Sequence, residues 1–140
     1  MKILLPVDGS EPSLRAARHV VVMLAGCGEH EIHLLNVQPP VDAPEIRSHM
    51  TASEIEAMQQ TRGGDALEAV RKVLNDAGQT YTPAVMLGPV AETIAKAATD
   101  LGCDKIVMGT RGLGSLGNAL MGSVTTHVLQ LTQLPVTLVK

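Results

Sequence analysis

Between Gly109 and Gly122 five of fourteen residues are glycine: Gly109, Gly112, Gly114, Gly117 and Gly122. A phosphate needs several convergent N–H donors. Glycine lets backbone amides come close and adopt positive φ, which builds an anion nest. A helix that starts at the end of such a run adds its unpaired amides and its dipole, worth about 0.3–1 kcal/mol near the surface. Ser123 can add a hydroxyl and Arg111 a positive charge. All fourteen acidic residues precede position 105, whereas Lys105, Arg111 and Lys140 follow it. The glycine-rich end of the chain therefore suits an anion. A second candidate is Asp8, in the turn Asp8-Gly9-Ser10 after an apolar run. A carboxylate there can meet a ligand or equally serve the turn itself.

Other chemistry fits less well. Gly112-Leu113-Gly114-Ser115-Leu116-Gly117 matches G-x-G-x-x-G, but it follows the fourth strand pattern and has no acidic residue downstream to hold a ribose. No glycine is followed by Lys and then Ser or Thr, so there is no Walker A loop. Its lysine would be the usual sign of fast phosphoryl transfer. His30 and His33 lack an evident third metal ligand, and no metal site is expected. His19, His49 and His127 lack a placeable acid–nucleophile partner, so no catalytic residue is assigned. A receiver domain would need an acidic phosphorylation site after the third strand, where Leu87-Gly88-Pro89 stands instead. Cys27 and Cys103 are isolated and read as small buried thiols of a reducing compartment.

The elements that must position these residues follow from periodicity. Five short apolar runs read as strands: Lys2–Val7, Ile32–Val37, Thr80–Leu87, Asp104–Met108 and Pro135–Val139. A helix follows the first, capped by Ser10, with Pro12 in its first turn and Leu14, Ala17, Val21 and Leu24 on one face. Residues 38–50 contain Pro39, Pro40 and Pro44, show no apolar period and read as a mobile loop. The next helix starts near Thr51 or Ser53, since both Thr51/Glu54 and Ser53/Glu56 match a capping box. It runs through Ala66, Val70, Val73 and Leu74 to Gly78, with Gly63-Gly64 as a place where it would weaken or break. A helix from Gly88-Pro89 turns Val90, Ile94, Ala97 and Ala98 inward, and a last one carries Val124, Val128 and Leu131.

Alternating strands and helices give an α/β fold, one open five-stranded, mostly parallel sheet with helices on both faces. Right-handed crossovers and a chain that reverses once give the order 3-2-1-4-5. Ligands of such sheets bind outside the carboxyl ends of the strands at the switch point. That point lies between strands 1 and 4, where the Asp8 turn and the glycine loop meet. The chain of 140 residues is read as a single domain, 1–140. Tyr81 is its only aromatic residue, which argues against base stacking on single-stranded nucleic acid. The apolar start is short for a signal peptide and no run reaches membrane-spanning length, so the expectation is a cytoplasmic protein without nucleic-acid or membrane partners.

Gly109-x2-Gly112-x9-Gly122-Ser123 resembles the G-x2-G-x9-G-[S/T] signature of the ATP-binding universal stress proteins. Ile3–Ser10, Asp104–Gly112 and Leu134–Val139 resemble that family's first strand and turn, fourth strand and loop, and last strand. The resemblance spans the whole chain. It implies an adenine nucleotide alpha hydrolase-like, Rossmann-like fold that binds ATP with Mg2+. Asp8 would meet the adenine or its ribose neighbourhood, and Val37 would offer backbone groups to the base. Pro6, Val7 and Met108 would line the pocket. Gly109, Arg111, Gly112, Gly122, Ser123 and Val124 would surround ribose and phosphates. Met108 and Val37 could equally be plain core. The family also implies a homodimer through Pro135–Val139, a strongly strand-forming edge that bears no charge before Lys140. The leading expectation is a regulatory or stress-adaptation protein with at most slow ATP hydrolysis. Alternatives are a nucleotide hydrolase or transferase using the same pocket, and a chaperone-like dimer that needs no nucleotide.

Overall fold

The computed structural model describes residues 1–112 and 121–140. Its elements run β1 Lys2–Pro6, α1 Glu11–Leu24, β2 Glu31–Gln38, α2 Pro44–His49, α3 Ala52–Asp76, β3 Thr82–Leu87, α4 Val90–Asp100, β4 Lys105–Gly109, α5 Ser123–Leu131 and β5 Val136–Val139. The sheet order is β3-β2-β1-β4-β5, and every pairing is parallel. The strands fall within two residues of their expected bounds. Such a sheet is buried on both faces, which is why the interiors of β1 and β4 read as unbroken apolar runs.

Alternation along each strand sends side chains to two cores. Ile3, Leu5, Ile32 and Leu34 meet Ala16, Val20 and Leu24 of α1 and Leu67, Val70 and Leu74 of α3. Leu4, Leu35, Val37 and Met108 meet Ala91, Ile94 and Ala98 of α4 and Val128 of α5. With no phenylalanine or tryptophan in the chain, aliphatic side chains fill both layers. Each fully buried Leu or Ile contributes about 1.5–3 kcal/mol.

Several expectations need correction. The buried face of α1 is Ser13, Ala16, Ala17, Val20 and Leu24, while Leu14 and Val21 pack at its margin. Residues 38–50 hold a short helix, α2, started by Pro44 at its amino end, where proline's fixed φ suits a first turn. Of the two capping boxes, Thr51 with Glu54 is the one formed. Gly63-Gly64 does not break α3, which continues to Asp76 and stops before Gly78 at φ +67°. Gly63 is a packing glycine. A Cβ there would overlap Val85 Cγ1 of β3 and lie 3.0 Å from Asn36 Oδ1. The buried stripe of α3 passes through Gly63 and Leu67 rather than Ala66 and Val73. Leu131, expected inward, is 43% exposed at the end of α5. Cys103 is buried, but Cys27 is exposed because it lies past the last turn of α1, where its thiol donates to the Met23 carbonyl at 3.3 Å. None of the described helices is long and apolar enough to cross a membrane.

Candidate functional site

The crevice forms where β1 stops and the chain reverses. Pro6 closes β1, and the Val7 N–H still donates to the Leu35 carbonyl at 2.8 Å. Gly9, at φ +85°, then turns the chain into α1. Asp8 is built into that turn. Its Oδ1 accepts from the Ser10 N–H at 2.9 Å and stands 3.1 Å from the Ser13 hydroxyl. Ser10 Oγ caps α1 by accepting from the Ser13 N–H at 3.4 Å. The other carboxylate oxygen stands against Gly112 so closely that a Cβ at that position would overlap it. Asp8 thus ties the first turn of α1 to the glycine segment after β4.

The opposite wall comes from β4 and α5. Gly109 ends β4 beneath the first turn of α1, and a Cβ on it would lie 2.7 Å from Pro12 Cβ and 3.0 Å from the Pro12 carbonyl carbon. Thr125 Oγ1 donates to the Gly109 carbonyl at 3.0 Å and is buried. The Gly122 N–H donates to the Thr110 carbonyl at 2.7 Å, and the Thr110 N–H donates to the Val139 carbonyl at 2.9 Å. These bonds aim the start of α5 into the crevice. Gly122 is its N-cap, and among the described residues no side chain caps it. The first-turn amides of α5, with their positive dipole end, border the cavity. Positive φ at the signature glycines was the expectation. Among the described residues, Gly109, Gly112 and Gly122 do not show it. Pro12 and Asp8 explain the first two glycines instead, through space rather than backbone conformation.

A cavity of about 530 Å³ occupies this place. All eleven expected site residues line it: Pro6, Val7 and Asp8 from the β1 turn, Val37 from β2, Met108, Gly109, Arg111 and Gly112 from β4 and its loop, and Gly122, Ser123 and Val124 from α5. Gly114 and Gly117 lie outside the described residues. Its lining is of two kinds: Val37, Val90, Ile94 and Met108 contribute apolar side chains from β2, α4 and β4, while Arg111, Gly112, Gly122 and Ser123 contribute polar and backbone groups.

Asn36, Gln38 and Pro39 also line the cavity and were missed. A polar residue inside the apolar run 32–37 was the available signal for Asn36. Spacing places Val90 and Ile94 on the inward face of α4 but does not show that this face also meets the cavity. His30 and His33 do not converge on a common site. His30 bonds to the Gly28 carbonyl and Gln79, and His33 to Glu31. Among the described residues no group of three potential metal ligands forms.

The universal stress protein family model matches residues 1–140. The chain is 33% identical to the universal stress protein MJ0531 of Methanocaldococcus jannaschii, covering 99% of this chain and 81% of that protein. The solved structure of MJ0577 superposes with a TM-score of 0.83 at 32% identity, covering 99% of this chain and 94% of that one. An Arabidopsis thaliana family protein, solved with AMP bound, shares the fold at a TM-score of 0.69 and 19% identity, covering 100% of this chain and 91% of its own. The geometry at the β1/β4 switch point and the match along the full sequence lead to one conclusion: the chain belongs to the universal stress protein family.

Proposed function

We propose that the crevice binds an adenine nucleotide, ATP with its Mg2+, and that the protein acts as a nucleotide-dependent regulator in stress adaptation. The observation that carries this reading is the lining of the cavity: apolar side chains of β2, β4 and α4, together with Arg111 and the first-turn amides of α5, which no side chain caps among the described residues. The AMP-bound Arabidopsis relative supports it. In this reading the base lies between Val37 and Met108, with Pro6 and Val7 along its edge. Asp8 faces the sugar. Gly109, Arg111, Gly112, Gly122, Ser123 and Val124 surround ribose and phosphates. The chain offers no cluster of carboxylates for a metal among the described residues, so Mg2+ would be held mainly by the phosphates it accompanies.

The parallel ladder supplies the means to read the base. Odd-numbered residues of β2 turn their peptide groups toward β1, as the bonds from Glu31 N–H to Met1 and from Val7 N–H to Leu35 record. Val37 comes next in that series, past the end of β1, and its N–H and C=O point into the cavity. One donor beside one acceptor complements N1 and the 6-amino group of adenine. Hydrolysis is slow in this reading, because the chain carries no Walker A lysine, the usual sign of fast phosphoryl transfer. The protein pairs as a homodimer through β5.

Mass spectrometry of nucleotide released from gently purified protein, followed by calorimetric titration with Mg-ATP, tests the proposal. Near-stoichiometric adenine nucleotide and saturable ATP binding are expected. Gly122→Val, which crowds the amino end of α5, should stay folded and lose ATP affinity. Unchanged affinity in a folded Gly122→Val protein overturns the phosphate assignment.

A further inference from the structure

We propose that Asn36 is a positioning residue that holds the Val37 peptide open for the base; this rests on the adenine-nucleotide reading above. If the β1–β2 ladder continued one rung, the Val37 N–H would donate to the Val7 carbonyl. That bond is absent from the turn. Instead the Val7 carbonyl accepts from Asn36 Nδ2 at 2.7 Å. The side chain of one β2 residue therefore occupies the acceptor that would otherwise close off the next residue's amide.

The arrangement is fixed from several directions. Asn36 is 2% exposed. Its Oδ1 accepts from Gln38 Nε2 at 2.8 Å, which sets the amide's orientation, with Nδ2 toward Val7. Space for the amide comes from α3, where Gly63 has no Cβ to strike Oδ1. Buried polar groups in a satisfied network have one low-energy arrangement, so Asn36 is held and does not sample alternatives. Its own atoms serve Val7 and Gln38. It acts on a ligand through Val37, by keeping that N–H paired with nothing but what enters the cavity.

The test compares ATP with ITP by calorimetry. Hypoxanthine carries N1–H and O6 where adenine carries N1 and an amino group, so it presents a donor to the Val37 N–H. The unmodified protein should prefer ATP by roughly tenfold or more, the range expected when a buried donor loses its acceptor. Equal affinities overturn the placement of the base at Val37, and with it the present inference. Given the preference, Asn36→Leu should weaken ATP roughly tenfold while leaving ITP within about twofold, because the freed Val7 carbonyl now competes for the Val37 N–H. Asn36→His, whose ring Nδ1–H lies the same number of bonds from the backbone, should restore the preference. If Asn36→Leu weakens both nucleotides alike, or leaves the ratio intact, the residue is only structural and the inference fails. Amide hydrogen exchange on the unmodified protein is a second measurement that needs no variant. Without nucleotide the Val37 amide should exchange much faster than the Leu35 amide of the same strand, and ATP should protect it. Equal protection of the two amides without nucleotide also overturns the inference.

Discussion

Gly63 and Gly64 are adjacent in the middle of α3, and the structure assigns their alanine variants opposite effects. Alanine is favoured over glycine inside a helix by about 0.8–1.0 kcal/mol. At Gly64 a Cβ would meet nothing within 4 Å, so Gly64→Ala should realise most of that gain. At Gly63 the new Cβ would overlap Val85 Cγ1, lie 2.8 Å from Cγ2 and 3.0 Å from Asn36 Oδ1. Val85 is β-branched and cannot swing clear without moving β3, so α3 must lift from the sheet. Such overpacking costs about 1–3 kcal/mol. The helix-propensity gain is common to both variants and cancels in their difference. Gly63→Ala should therefore be less stable than Gly64→Ala by about 2 kcal/mol, a gap in Tm of roughly 6–10 °C for a domain of this size. Urea melts with a shared m-value, read against thermal scans, measure the gap. Two variants of equal stability, or a Gly63→Ala protein more stable than the parent, would refute the argument that α3 is seated on β3 and Asn36 through this glycine.

Gly109→Ala should cost about 1–3 kcal/mol in denaturant melts, because its Cβ would be driven into the backbone of Pro12; no loss of stability would contradict the contact. Steady-state ATP hydrolysis should run well below the enzyme median of about 10 per second, and ordinary turnover after removal of contaminants would favour an enzyme in this pocket. In native alkylation Cys27 should react quickly and Cys103 slowly, since burial raises the Cys103 thiol pKa and hides it; two equally fast thiols would contradict its placement beneath α4. Light scattering should give a dimer at tens of micromolar, disturbed by Val136→Pro, which deletes an amide of the edge strand β5; a monomer, or a dimer indifferent to the change, removes β5 from the interface.

The layout of the fold was legible because its signals are local. β-branched runs, the Ser10 cap and the stop at Gly78 act within a few residues of where they are read. From that order the switch point follows, and with it the meeting of Asp8 and Gly109–Gly112. What sequence left ambiguous depends on contacts distant along the chain. Gly63 reads as a helix breaker until Val85 of β3 is seen in its place. Gln59 carries no local signal, yet it is 6% exposed and donates to the Pro39 carbonyl at 2.7 Å, fixing the start of the 39–50 segment beside the cavity. Asn36 interrupts an apolar run, but only the register of β1 against β2 reveals which carbonyl it takes.

The glycine signature itself gains a second meaning from these contacts. Read as sequence, its glycines let a phosphate approach the backbone. In the fold, Gly109 first lets α1 approach β4, and Gly112 first lets Asp8 approach the loop. Both effects draw together the turn after β1 and the start of α5, which come from opposite ends of the chain. With a side chain at 109, Pro12 and the whole first turn of α1 would stand off from β4. Asp8, bonded to Ser10 and Ser13 of that turn, would move with it. The crevice would widen between the β1 turn and the glycine segment, while Val37, Val90 and Ile94, which lie on other elements, would keep their places. These two glycines therefore set the distance between the β1 turn and the start of α5 before any ligand arrives. A substitution at either position should weaken binding by misplacing the walls, whereas one at Gly122 acts on the amino end of α5, where the proposed phosphates lie.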